Sequence, residues 1–240
     1  MSEPWLVDLA DRFWAAAGGP PVPPRDLHGV VSLALPVTVV ALPALSLLRV
    51  ERWFSARNVD HRFDVPDRRL RGCLVAFGGH GFIFVDGADP VDERRLTLAH
   101  EVAHFLLDDQ HPRERATRAL GDGIAAVLGG KRSPTLDERI GTVLSAVRLS
   151  PHTHLMERTG DRGAAASAVE AGADRLAWEL LAPAAEVSEF VPGSGGEALE
   201  QALVDRYGLP RNAAARYARS LRRVYEPPPS FVDWLRVTPR

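Results

Sequence analysis

This sequence has few of the features that mark secreted, membrane-spanning or nucleic-acid-coating proteins. Its 240 residues include a single cysteine, Cys73, which excludes an internal disulfide framework and makes a reducing cytoplasm the expected compartment. The formal net charge of -2 gives no general attraction to nucleic acid or anionic lipid. No basic leader with an apolar run stands at the N-terminus, so we expect no signal peptide.

One long uncharged stretch, residues 29–48, has the length of a membrane span, but Pro36 and Pro43 interrupt it. We therefore predict no membrane segment. The stretch instead indicates a buried strand over Val37–Leu42, followed by a helix that Pro43 opens at its first position.

Breaker residues and apolar periodicity divide the chain into three predicted parts. Residues 1–24 comprise a helix over Pro4–Ala17 and a Gly/Pro connector, with Trp5, Leu6, Leu9 and Phe13 on one helix face. Residues 25–192 form the predicted main domain, and residues 193–240 form a C-terminal helix pair (196–207 and 211–224) with a Pro-rich tail. Inside the main domain, a Gly-rich turn joins predicted strands Cys73–Phe77 and Phe82–Asp86 into a hairpin.

A helix is predicted from Asp89 and Pro90, as N-cap and first turn, to about Asp109. It carries His100-Glu101-Val102-Ala103-His104, and its buried stripe is Leu98, Val102, Phe105 and Leu106. Two histidines four residues apart share one helix face, so both imidazoles can reach one zinc ion. Glu101 is then placed to act as a general base on a water molecule rather than as a ligand.

A catalytic zinc site needs a third protein ligand. In a second periodic helix, about residues 164–181, a predicted core stripe of Val169, Ala173, Leu176 and Leu180 places Glu170 and Asp174 along the core edge. We predict that Glu170 is the third ligand and that Asp174 orients a ligand histidine. Rival ligands are an HxH pair in a predicted exposed loop and three residues just after the motif: His152, His154, Asp108, Asp109 and His111.

These residues resemble the ImmA/IrrE family of metallopeptidases. Arg95–Leu107 is similar to the family's Phe-Thr-Leu-Ala-His-Glu-Leu-Gly-His signature, and residues 170–183 to its Glu-x-x-Ala-Asn-x-Phe-Ala-x-x-Leu-Leu-Met-Pro block. The resemblance covers residues 34–110 and 166–224. The departures are Ala103 for Gly, Asp174 for Asn, Leu176 for Phe and Ala182 for Met, none of which removes a ligand.

The resemblance implies that Glu170 is the third zinc ligand and that the substrate is a separate helix-turn-helix transcriptional repressor, whose cleavage switches on stress or mobile-element genes.

The gap between His104 and Glu170 is longer than the family's, so residues 112–163 look like an insertion. A capping box at Thr135–Glu138, followed by Ile140, Val143, Leu144 and Val147, predicts a helix there. Residues 150–163 read as loop, and we expect the insertion to cover the cleft.

The predicted fold is therefore an α+β, zincin-like metallopeptidase core with a small sheet against the motif helix. Phe82–Asp86 is expected as the outer strand that pairs with substrate. The donor set also suits manganese or iron. The candidates for stabilising the oxyanion are His80, His154, Arg175 and Tyr207.

Two other classes compete with a peptidase. One is a regulator that binds a repressor without cutting it, although such a protein would have no need of Glu101. The other is DNA binding through a basic edge of the C-terminal helices, formed by Arg211, Arg216, Arg219, Arg222 and Arg223. No other segment supplies a matching basic surface, so we do not expect direct nucleic-acid binding.

Overall fold

The computed structural model describes residues 3–144, 147, 152–158, 164–190 and 196–225. Within them, four strands form one mixed sheet in the order β1-β3-β2-β4. The strands are β1 (Val37–Leu42), β2 (Leu70–Phe77), β3 (His80–Asp86) and β4 (His152–Glu157). β1 runs parallel to β3, whereas β2 is antiparallel to both β3 and β4.

The described residues also form eleven α-helices and a π-helical stretch, Phe105–Gln110. The helices are α1 (Pro4–Ala16), α2 (Val31–Ala34), α3 (Leu47–Ser55), α4 (Val91–His104), α5 (His111–Leu120), α6 (Ala125–Leu128), α7 (Leu136–Leu144), α8 (Ala164–Leu181), α9 (Ala184–Val187), α10 (Gly196–Asp205) and α11 (Arg211–Tyr225). The predicted α+β class is thereby confirmed, with the sheet packed against the motif helix α4.

The sheet separates two apolar cores, because successive side chains of a strand point to opposite faces. Leu74 and Ile83 face the larger core, which also contains buried residues of α1, α4, α8, α10 and α11. Cys73, Val75 and Phe84 face a smaller core closed by α3. The motif helix therefore lies on the larger-core side of the sheet, opposite α3.

The predicted hairpin is confirmed: β2 and β3 pair through a turn in which Gly78 and Gly79 have φ of 59° and 84°. That left-handed backbone is open to glycine at little cost. The prediction that Phe82–Asp86 is an outer strand is wrong, because β3 has β1 on one side and β2 on the other. The edges of the sheet are β1 and β4.

β4 contradicts the predicted exposed loop at 150–163, since His152–Glu157 pairs along β2. Smaller corrections concern helix starts and faces. Pro43 lies in a turn and α3 begins only at Leu47, because the chain first bridges Ser46 to Arg69. Val169, Ile140 and Trp5, predicted on core faces, are exposed.

The inserted segment, residues 112–163, contributes more than a cover. Its described part has a small core of its own, formed by Ala116, Ile124, Val127, Leu128 and Val147. The predicted capping box is confirmed, because Thr135 and Glu138 exchange hydrogen bonds at the start of α7. Residues 145–146, 148–151 and 159–163 lie outside the described residues, as do 226–240, which include the Pro-rich tail.

The predicted boundaries at residues 24 and 192 stay predictions. Helices α1 and α11 both contribute to the larger core, and Trp14 of α1 donates to the Leu180 carbonyl of α8. Among the described helices, none has the length and apolarity needed to cross a membrane.

The buried carboxylate of Asp86, at the end of β3, connects the segments that follow β1, β3 and β4. It accepts hydrogen bonds from the backbone amides of Ala44 and Ala88 and from Arg158, which directly follows β4. Burial alone would raise the pKa of Asp86, but these bonds and the Arg158 charge hold it below its usual value.

We expect Asp86→Asn to lower the free energy of unfolding by about 2–3 kcal/mol at neutral pH, because a charge-assisted bond is lost. A carboxyl group with a depressed folded pKa stabilises the fold above its unfolded pKa, about 3.9, and loses that effect as the pH falls through the folded value. Urea unfolding of both proteins between pH 3 and pH 7 should show the difference shrinking below about pH 4. A constant difference would show that the charge is not responsible.

Candidate metal centre

The motif helix α4 turns His100, Glu101 and His104 towards the sheet and α8. All three are buried, with exposures of 0–1%. The Nε2 atoms of His100 and His104 lie 3.2 Å apart. The predicted one-face arrangement is therefore present, inside the core rather than on a solvated helix surface.

Helix α8 brings Glu170 to the same point. Its Oε2 lies 3.3 Å from His100 Nε2, and its Oε1 lies 3.7 Å from His104 Nε2. Ligands about 2.0–2.1 Å from a tetrahedral ion stand roughly 3.3 Å from one another, so these three residues fit a shared zinc ion. Their role as ligands stays a prediction.

A carboxylate contacts the far nitrogen of each motif histidine. His100 Nδ1 donates to Asp174 at 3.1 Å, and His104 Nδ1 donates to Asp108 at 2.8 Å. Such bonds fix the tautomer that leaves Nε2 free for a metal. Asp174 also lies 3.3 Å from Arg216 of α11, which connects the C-terminal helix pair to the centre.

Asp108 is one of the rival ligands predicted from the sequence. The structure gives it a different place, four residues after His104 in the π-helical stretch that directly follows α4. The i, i+4 spacing from His104 was visible in the sequence, because residues four apart share a helix face.

The charges of the cluster depend on one another. Burial would lower the pKa of His100, but hydrogen bonds to Asp174 and Glu170 raise it. Burial, together with the charges of His154 and His100, lowers the pKa of His104 despite its bond to Asp108. Burial opposes ionisation of Glu170, yet bonds to His100 and His154 hold its pKa far below the usual range.

His154 of β4 is the part of the cluster that the sequence analysis placed in a loop. Its Nδ1 lies 2.9 Å from Glu101 Oε2 and its Nε2 lies 2.9 Å from Glu170 Oε1. Burial would lower the pKa of His154, but the charges and hydrogen bonds of these two carboxylates raise it to about 10. The signal for its position is the His-x-His spacing, which places His152 and His154 on one face of a strand.

His100, His104, His154 and Glu170 offer donor atoms within 4.8 Å of one another, so the residues present fit a metal ion. The second oxygen of Glu101, Oε1, is buried without a hydrogen-bond partner in the structure. A buried oxygen without a partner calls for a ligand or a functional role.

The remaining candidates lie elsewhere. Asp109 pairs with Arg113 at 2.8 Å, and His111 stacks on Trp5. His152 reaches Asp108 at 3.8 Å. Of the four oxyanion candidates, only His154 is at the cluster: His80 bonds Thr38, Arg175 bonds Glu3, and Tyr207 is buried in the larger core.

Gly72 of β2 provides the space in which Glu101 lies. A Cβ atom at this position would come within 2.7 Å of Glu101 Oε1 and of Thr97 Cγ2. Any side chain here would therefore push α4 or its carboxylate away from the sheet.

Asp108→Asn and Asp174→Asn should each weaken zinc binding about 10–100-fold, because the ligand histidines lose their orienting charge. Competition against a chromophoric chelator would measure this loss. Asp109→Asn is the matched control, since its carboxylate pairs with Arg113 rather than with a histidine. Equal zinc affinity in the wild type and all three variants would show that Asp108 and Asp174 do not affect metal binding.

Comparison with known proteins supports this interpretation of the motif helix. Searches against curated proteins and solved structures found no match. Residues 47–123 match the family model of the IrrE N-terminal-like domain, Peptidase_M78, a segment that contains His100, Glu101 and His104 but not His154 or Glu170. The resemblance to the ImmA/IrrE family of metallopeptidases is thereby confirmed for the segment that carries the motif, which is similar to this peptidase domain.

Proposed function

We propose that this protein is a zinc-dependent endopeptidase with a zincin-like catalytic core. The observation that carries the proposal is the convergence of His100, His104 and Glu170 beside the buried carboxylate of Glu101. Three such donors leave a position for water or substrate, as catalytic zinc sites require. The peptidase-domain match over the motif supports the same reaction class.

Each residue has a defined task in this mechanism. His100, His104 and Glu170 hold the metal, while Asp174 and Asp108 keep the two imidazoles in the binding tautomer. When bound, zinc supplies a Lewis acid for the peptide carbonyl and makes a water molecule more acidic. Glu101 takes a proton from the attacking water and passes it to the departing amide nitrogen.

The substrate that we propose is a helix-turn-helix transcriptional repressor in the cytoplasm, and its cleavage would switch on stress or mobile-element genes. This part rests on the ImmA/IrrE resemblance. The C-terminal helix α11 packs on the core, with Ala214, Tyr217 and Leu221 buried. One of its arginines, Arg216, pairs with Asp174. We therefore propose that the C-terminal pair supports the centre, through its packing and through Arg216.

The purified protein should contain about one zinc ion per chain, since the described residues bring three converging ligands to one point. His100→Ala, His104→Ala and Glu170→Gln should each abolish stoichiometric binding, which elemental analysis after dialysis would measure. Gln201→Ala, on the surface of α10, is a control that should retain the metal. Stoichiometric zinc in the three ligand variants would place the site elsewhere.

Incubation of the zinc-loaded protein with the repressor encoded nearest to it should give one discrete cut. Glu101→Gln keeps the size of the side chain but removes the base, so the rate should fall at least about a hundredfold with zinc retained. Gel analysis and mass spectrometry of the fragments would measure both outcomes. If the wild type cuts nothing and Glu101→Gln relieves repression in cells equally well, the protein is a binding regulator instead.

A further inference from the structure

Strand β4 occupies the sheet edge next to the candidate metal centre. It pairs antiparallel with β2, and His154 stands opposite Leu74 on the face that looks towards α4. An unpaired strand edge is the place where an extended peptide binds by main-chain hydrogen bonds. Here that edge of β2 is already paired by a strand of the inserted segment.

The imidazole of His154 fills the space between the base and the third ligand, with contacts of 2.9 Å to both Glu101 and Glu170. A peptide carbonyl has to enter this same space to reach Glu101 and the metal ligands together. The three motif residues are at most 1% exposed, so they are covered by their neighbours in the described arrangement.

Ring geometry shows that His154 covers the centre rather than completing it. Its ring stacks on that of His104, with centroids 3.6 Å apart and an angle of 21° between planes. An imidazole would hold a metal through the nitrogen lone pair in its own ring plane, and two stacked, nearly parallel rings do not direct those lone pairs at one point. The ligand pair His100 and His104 differs, with centroids 4.8 Å apart and planes at 66°.

We propose that β4 is an autoinhibitory strand, which takes the place of an extended substrate on β2 and closes the metal centre with His154. The proposal rests on the proposed peptidase function and concerns its regulation. It implies that a substrate segment binds as a strand antiparallel to β2 after β4 has left.

The attachment of β4 is suited to release. Only its first residue, His152, is buried, whereas β2 and β3 are buried along most of their lengths. Its far end is held mainly by Arg158, whose partly exposed guanidinium contacts the buried Asp86 and also Asp89 at 2.7 Å. The other pair, Glu157 with Arg68 at 2.8 Å, is partly exposed on both sides, and pairs of that kind are weak. Release of β4 at this end therefore requires chiefly that the Arg158 contacts break.

The chain offers a direct way to lock the strand. Cys73 of β2 stands opposite Leu155 of β4, and both face the smaller core. Directly opposed residues have Cα atoms about 4.5–5.5 Å apart, within the range that a disulfide spans. Leu155→Cys should therefore form a disulfide with Cys73. Because burial raises the pKa of the Cys73 thiol, the bond is best formed by oxidative refolding and checked by intact mass.

The disulfide lock is tested on cobalt-loaded protein. Acetohydroxamate is the probe of access to the metal, and its binding is followed by the change in visible absorption of the cobalt. Oxidised Leu155→Cys should bind the probe at least about tenfold more weakly than the same protein after reduction, and should cut the repressor at least about tenfold more slowly. Leu155→Ser, which has the same truncation without a thiol, should not respond to oxidation. Equal probe binding in locked and reduced protein would overturn the proposal.

A second experiment weakens the contacts that hold β4 by substitution and does not depend on the disulfide. His154→Ala should bind acetohydroxamate at least about tenfold more tightly than wild type, and Arg158→Ala should do so to a smaller degree. Unchanged probe binding together with a 10²–10⁴-fold loss of cleavage in His154→Ala would instead make His154 a catalytic donor, and the proposal would fail.

These readouts separate the two proposals. A lock that changes probe access in a protein that cleaves nothing supports β4 as a cover and refutes the peptidase. A protein that cleaves equally well when locked and when reduced refutes the cover and supports the peptidase.

Discussion

The arrangement of the candidate metal centre depends on the burial of ionisable groups between the motif helix and the sheet. His100, Glu101 and His104 are removed from water, and buried polar groups are costly unless each has a partner. The structure supplies those partners from other elements: Asp174 and Glu170 from α8, Asp108 from the π-helical stretch, and His154 from β4. The packing of these elements around α4 therefore has an electrostatic reason as well as an apolar one.

The sequence predicted the parts of this centre that depend on local spacing. His100 and His104 share a face because they are four residues apart, and Glu170 and Asp174 lie together on one helix for the same reason. Strand Val37–Leu42, the Gly78-Gly79 hairpin and the Thr135–Glu138 capping box are also local patterns, and the structure has all of them.

The parts that were missed depend on contacts between distant segments. His154 reaches Glu101 across 53 residues, and β4 is a strand only because β2 offers it an edge. Its sequence, flanked by Ser-Pro and by Thr-Gly, carries the turn residues typical of a loop. For the same reason Phe82–Asp86 could not be recognised as an inner strand, since strand order depends on what pairs with it from elsewhere in the chain.

The π-helical stretch fixes the angular relation between the motif helix and everything that follows it. Each residue of an α-helix advances the chain by about 100° around the axis, whereas a π-helical turn takes up extra residues without the corresponding advance. If the same six residues, Phe105–Gln110, formed regular α-helix, the chain would advance further around the axis and α5 would leave in a different direction. The six residues of that stretch thus set the direction in which the inserted segment leaves the motif helix, although none of them belongs to the His-Glu-x-x-His motif.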